Sequence, residues 1–271
     1  MVSWYLPIRY GLILVRKNLG KLLSALVNVN ADLVRFHKVE GGKQMLIKRL
    51  CTAGILGAGL LALLFFASEN VFFWSMLLLA VFAAWEWCHM VSWKSFVAEA
   101  LFVAAILVGC YFGSLFTQPI LMSAAGWWLL ALLLVVIFPI GTKLCRHALF
   151  LTIVGWICLV STIVSLVFLR GEYQGQLLIL LLLLLVWATD SGAYFVGKAF
   201  GSHKLIPRVS PGKTIEGLLG GVVIALGVGL VARYAFGLLT DMNVWAFLML
   251  CLVTILVSVL GDLFESLIKR Q

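Results

Sequence analysis

Between Asp190 and Gly221 the chain gathers side chains suited to handling phosphate: Asp190, Ser191, Lys198, Lys204, Ser210, Lys213, Thr214 and Glu216. Carboxylates hold hard cations, lysines neutralise phosphate oxygens, and hydroxyls donate hydrogen bonds to them. Gly197, Gly201 and Gly212 are interspersed, and glycine lets a backbone approach a ligand closely. Thr214 to Gly217 opens an apolar run whose helical N-terminus favours an anion. A cradle for a phosphate-rich ligand is the chemistry this set implies. Topology alone also places lysines in such a stretch, but it explains neither the glycines nor the hydroxyls.

Gly212-Lys213-Thr214 looks like the end of a P-loop, but the likeness fails. The pattern G-x-x-x-x-G-K-T needs glycine at position 207, where this chain has Pro207, and a buried parallel strand before it. Gly217, Gly220, Gly221 and Ala225 read instead as a small-residue face for close helix packing.

The elements that position these groups are membrane helices. The chain is 271 residues long, 63% hydrophobic and only 11% charged, with a mean hydropathy of +1.13. That excludes an ordinary soluble domain. Eight stretches are long and apolar enough to span, at about 20 residues each: roughly 50–68, 71–92, 96–116, 124–140, 148–169, 177–197, 216–238 and 244–266. Runs such as Leu177–Val186 lack the alternation of barrel strands, so the expected fold is all-α and polytopic. Lys48, Arg49, Lys94, Lys143, Arg146, Lys198, Lys204, Arg208, Lys213, Lys269 and Arg270 fall in alternate connections. By the positive-inside rule both ends are cytoplasmic.

In this topology Glu86, Asp190, Glu216, Asp262 and Glu265 all lie near cytoplasmic helix ends. Asp190 is eight residues before Lys198 and Asp262 seven before Lys269, so both sit about 10–12 Å inward of those cations. At matched depth they can share a divalent cation. Glu86, flanked by Trp85 and Trp87, also reads as an interfacial residue of an aromatic belt. Glu216 and Glu265 also read as ordinary helix-terminal charges. Arg233, near the outer end of the seventh span, reads as snorkelling to the interface. The six cysteines lack paired spacing and read as reduced apolar fillers.

Residues 1–44 carry seven of the twenty Lys and Arg and form a basic N-terminal extension ahead of the 45–271 membrane domain. They read as an appendage without catalytic role or as a segment lying on the inner leaflet.

The run Trp187–Tyr194, Gly197-Lys198, Phe200-Gly201, Lys204-Leu205, Pro207, Ser210–Thr214, Glu216-Gly217 and Gly220-Gly221 resembles the bacterial phosphatidate cytidylyltransferases. Ala83–Trp87 and Ser258–Arg270 resemble the same family, so the likeness spans about 45–270. It implies transfer of a cytidylyl group from CTP to phosphatidate, giving CDP-diacylglycerol and pyrophosphate, with magnesium, at the cytoplasmic face of the bacterial inner membrane. Asp190, Lys198, Lys213 and Asp262 would be catalytic, with Asp262 and Asp190 on the metal. Ser191, Lys204, Ser210, Gly212, Thr214 and Glu216 would bind substrate. The implied partners are CTP, phosphatidate and membrane lipids, without nucleic acid, and a homodimer is compatible with them.

The family signature opens with Ser-x-x-Lys-Arg, matched by Ser266 to Arg270. It continues through a Lys-Asp pair, a Pro-Gly-His-Gly-Gly turn, an Asp-Arg-x-Asp segment and a final span, whereas this chain stops at Gln271. The resemblance therefore implies a shortened member lacking at least one carboxylate ligand: weakly active alone, an inactive remnant, or half of a split enzyme. A transporter is the competing class, but it would place its acids near the midplane between internal repeats.

Overall fold

The computed structural model describes residues 54–91, 93, 95–136, 147–207 and 209–268. A shorter apolar helix, α1 (Gly54–Phe66), comes first. The first expected span, 50–68, is thus described only from residue 54, and the readings of residues 1–44 lie outside the described residues. The other elements belong to the second of two compact units, Leu64–Gln271.

Seven helices in that unit are long and apolar enough to cross a membrane: α2 (Glu69–Met90), α3 (Phe96–Gly113), α4 (Thr117–Val136), α5 (Ala148–Gly171), α6 (Gly175–Phe200), α7 (Ile215–Phe236) and α8 (Val244–Ile268). In none is more than 39% of the most apolar window buried within the protein. Trp74, Leu129, Val223, Val231 and Trp245 are among the large apolar side chains left facing outward. Hydrocarbon, not water, suits such faces. The chain is a multi-pass, all-α membrane protein.

Local chemistry fixes several helix starts. Ser68 and Ser95 cap α2 and α3 by accepting from the amides of Val71 and Ala98. α4 begins at Thr117, earlier than the expected span at 124, because Pro119 falls in its first turn, where a missing N–H is not needed.

The connection between the sixth and seventh expected spans carries regular structure among its described residues. α6 continues to Phe200, and two short strands follow, β1 (Lys204–Ile206) and β2 (Ser210–Thr214), paired antiparallel. Lys204 faces Thr214 and Ile206 faces Ser210. Leu205 alone therefore opposes Pro211, Gly212 and Lys213, and this bulge accommodates a proline that cannot donate to the ladder.

Two clusters form the core. One joins α4, α5 and α8 through Trp127, Leu151, Val154, Phe264 and Leu267, and it also takes in Val209 at the turn of the hairpin. The other joins α6, α7 and α8 through Leu185, Ala225, Phe247 and Ile255. Cys88, Cys110, Cys158 and Cys251 are free thiols, as expected for apolar fillers, while Cys51 and Cys145 lie outside the described residues.

Arg233 does not snorkel. It is only 5% exposed, donates to the carbonyls of Thr240 and Met242, and lies over the Phe247 ring at 4.9 Å. The connection from α7 to α8 folds back over it, and satisfying those carbonyls outweighs reaching the interface.

Candidate active site

The site begins with the contact between α6 and α7. A Cβ added at Gly221 would come 2.7 Å from the Thr189 carbonyl, and one at Gly217 would come 2.8 Å from that of Ala193. Only glycine admits this approach, so the small-residue face expected on α7 is real and its partner is α6. The contact holds Thr189, Asp190 and Ala193 beside the first turns of α7.

Thr214 completes this corner. Its hydroxyl accepts from the Gly217 amide at 3.1 Å and caps α7. A Cβ at Gly197 would meet that hydroxyl at 2.9 Å. Gly197 and Gly217 therefore make room for the cap, a more specific use than a general backbone cradle. At Gly212, by contrast, an added Cβ meets nothing within 4 Å, and the residue leaves open space.

That space is a pocket of about 300 Å³ between α6, the hairpin, α7 and α8, toward the small end of ligand-site volumes. Asp190 enters it from α6, Gly212, Lys213 and Thr214 from β2, and Asp262 from α8, with Tyr194 and Leu218 on the walls. Lys213 Nζ donates to Asp262 Oδ2 at 3.1 Å. The pair is part-exposed, Lys213 at 28% and Asp262 at 49%, so the contact is mainly an alignment device in a solvated field. The two carboxylates expected to share a depth thus line one cavity.

The other expected residues stand as follows. Ser191 is exposed on α6, away from the lining. Lys198 does not line the cavity, and its Nζ lies 5.7 Å from the centre of the Tyr194 ring, which does. Lys204 and Ser210 occupy the paired ends of the hairpin and do not line the cavity. Glu216 also stays out of it. Its carboxylate accepts the His203 amide at 3.1 and 3.2 Å and the His203 ring nitrogen at 2.6 Å.

Sequence reasoning missed His203 altogether, because a partner thirteen residues away leaves no spacing signal. It also missed Tyr194 as a wall residue, although a helix places it one turn beyond Asp190.

Glu86 and Glu265 line a different cavity of about 660 Å³ with Trp85, Trp87 and Trp128. α8 separates the two spaces, turning Val259 and Asp262 to one and Gly261 and Glu265 to the other.

Among the described residues no group of three or more His, Cys, Asp or Glu forms a ready metal cage. Asp190 and Asp262 nevertheless suit magnesium, which binds through one or two carboxylates and takes its other ligands from substrate phosphates and water.

The sequence profile of the cytidylyltransferase family matches residues 47–271. A phosphatidate cytidylyltransferase of Haemophilus influenzae is 35% identical, covering 84% of this chain and 87% of its own. One of Pseudomonas aeruginosa is 36% identical over 76% of this chain and 78% of its own. One of Staphylococcus aureus is 45% identical over a shorter stretch, 38% of this chain and 39% of its own.

Proposed function

The chain belongs to the cytidylyltransferase family, and we propose that it transfers the cytidylyl group of CTP to phosphatidate in the pocket between α6, the hairpin and α8. The products are CDP-diacylglycerol and pyrophosphate. One observation carries the assignment of the site: Asp190, Lys213 and Asp262, from three separate elements, line the same cavity.

A phosphatidate oxygen attacks the α-phosphorus of CTP, a new P–O bond forms, and the α–β bridge breaks as pyrophosphate departs. Such transfers are accelerated mainly by positioning and by neutralising phosphate charge. Lys213 can do both. One of its three N–H groups is held by Asp262, which aims the others at phosphate oxygens. Asp190 and Asp262 are the groups that would hold magnesium, which when bound neutralises charge on the triphosphate. Lys198, Lys204 and Ser210 flank the pocket and suit the outer phosphates or the lipid headgroup.

The surroundings match the substrates in kind. Walls of Tyr194, Leu218 and Val259 border the charged floor, so a lipid headgroup meets polar groups without leaving an apolar frame. The basic connections support a cytoplasmic orientation in a bacterial inner membrane, the side on which CTP is found.

The test is direct. Membranes containing the full chain are incubated with labelled CTP, phosphatidate and magnesium. Label is expected in a CDP-diacylglycerol product, with pyrophosphate released in equal amount. Absence of both, in a preparation shown to be folded, would overturn the reading.

A further inference from the structure

We propose that Glu216 and His203 form a clasp that positions the hairpin, and that Glu216 serves the reaction by holding Lys213 in register with Asp262 rather than by touching substrate. The kinetic part of this inference rests on the function proposed above; the structural part does not.

The hairpin leaves α6 after Gly201 and rejoins the helices at Ile215. Besides the Lys213–Asp262 bond and the packing of Leu205 and Ile206, it is secured at its turn and at its base. At its turn, Val209 is fully buried in the cluster shared by α4, α5 and α8. At its base, the Ile215 amide donates to the His203 carbonyl at 2.9 Å, and the Glu216 carboxylate receives both the amide and the ring of His203. Opposite a carboxylate oxygen, the ring nitrogen carries the hydrogen.

Register transmits this hold. His203 directly precedes Lys204, Lys204 pairs with Thr214, and Thr214 follows Lys213. The carboxylate itself projects from the first turn of α7, a helix fixed against α6 by the glycine contact. The clasp therefore ties the base of the ribbon to the closely packed α6–α7 corner of the site. A simpler role exists for an acid in a first turn, which is to complement the helix dipole. That role would not involve residue 203 and would leave the hairpin indifferent to Glu216.

The His203 side chain is 77% exposed, so burial does not hold it in place. The clasp has two parts, the main-chain amide at 3.1 Å and the ring nitrogen at 2.6 Å. Loss of the ring alone is expected to matter less than loss of the carboxylate.

Hydrogen exchange read by mass spectrometry on the full chain in detergent micelles tests the structural part. Glu216→Ala is expected to speed exchange across 203–214 by about tenfold, with Glu216→Gln intermediate because it keeps an acceptor for the His203 amide. Exchange within Leu177–Val186 should stay as in the parent, which separates hairpin release from global unfolding. Unchanged exchange across the hairpin in Glu216→Ala would overturn the clasp.

A double-mutant cycle with Lys213→Ala tests the kinetic part. Glu216→Ala should lower turnover about tenfold in the parent but less than about twofold when Lys213 is already alanine. Fully additive losses would show Glu216 acting independently of Lys213 and would refute positioning. A parent chain that makes no CDP-diacylglycerol would instead refute the proposed function, and the exchange measurement would still decide the clasp.

Discussion

Lys213 Nζ lies 3.1 Å from Asp262 Oδ2, joining residues 49 positions apart. The bond links the bulged strand of the hairpin to the end of α8, and it closes one side of the pocket that Asp190 enters from α6. Its value is geometric, since a part-exposed pair stabilises a fold by no more than about 1 kcal/mol.

Asp262→Asn should reduce CDP-diacylglycerol formation by about 10²–10³-fold with little change in thermal stability. The amide keeps the shape and an acceptor for Lys213 but loses the charge. Initial rates at several magnesium concentrations check this, and unchanged turnover would remove Asp262 from the site. Asp190→Asn should also slow the reaction and raise the magnesium needed for half-maximal rate.

Lys213→Ala should slow turnover by about 10²-fold. Lys213→Arg should recover only part of it, because a planar fork cannot replace a compact ammonium facing both Asp262 and a phosphate. Full recovery in the arginine variant would show that charge alone is required.

Gly221→Val should destabilise the protein by about 1–3 kcal/mol, since even its Cβ would press on the Thr189 carbonyl. Gly212→Ala faces open space and should melt within about 0.5 kcal/mol of the parent. Thermal unfolding in detergent of the two variants side by side makes the comparison. Equal melting would contradict the close contact of α6 and α7.

Thr214→Val removes the cap of α7 and should cost about 1 kcal/mol, while Thr214→Ser retains it. Thr214 also lines the pocket, so the serine variant separates capping from any contact with substrate: restored stability with lost activity would show that the methyl group matters to the ligand.

Hydropathy and charge placement made the helices legible, and seven appear close to their expected positions. α4 was placed less well, starting at Thr117 rather than near 124, with Pro119 sitting harmlessly in its first turn. The pairing of Asp190 with Asp262 in one cavity was also readable, since helix rise converts sequence distance from basic landmarks into depth. The hairpin was not readable. Ser210-Pro211-Gly212 has the composition of a loop, and its strand character comes from tertiary support at Val209 and His203. Arg233 was misread for a similar reason, because the carbonyls that retain it belong to a connection whose path the sequence does not disclose.

The glycine seam between α6 and α7 leaves those two rods no freedom to slide. Asp190 is thereby a fixed datum from which everything else in the cavity is measured. The ribbon and the C-terminal end of α8 are fastened to each other by buried Val209 and, among the described residues, by the Lys213–Asp262 bond. A headgroup that displaces this tie would widen the mouth and free Lys213 to realign on its phosphate, while Asp190 on the floor keeps its place.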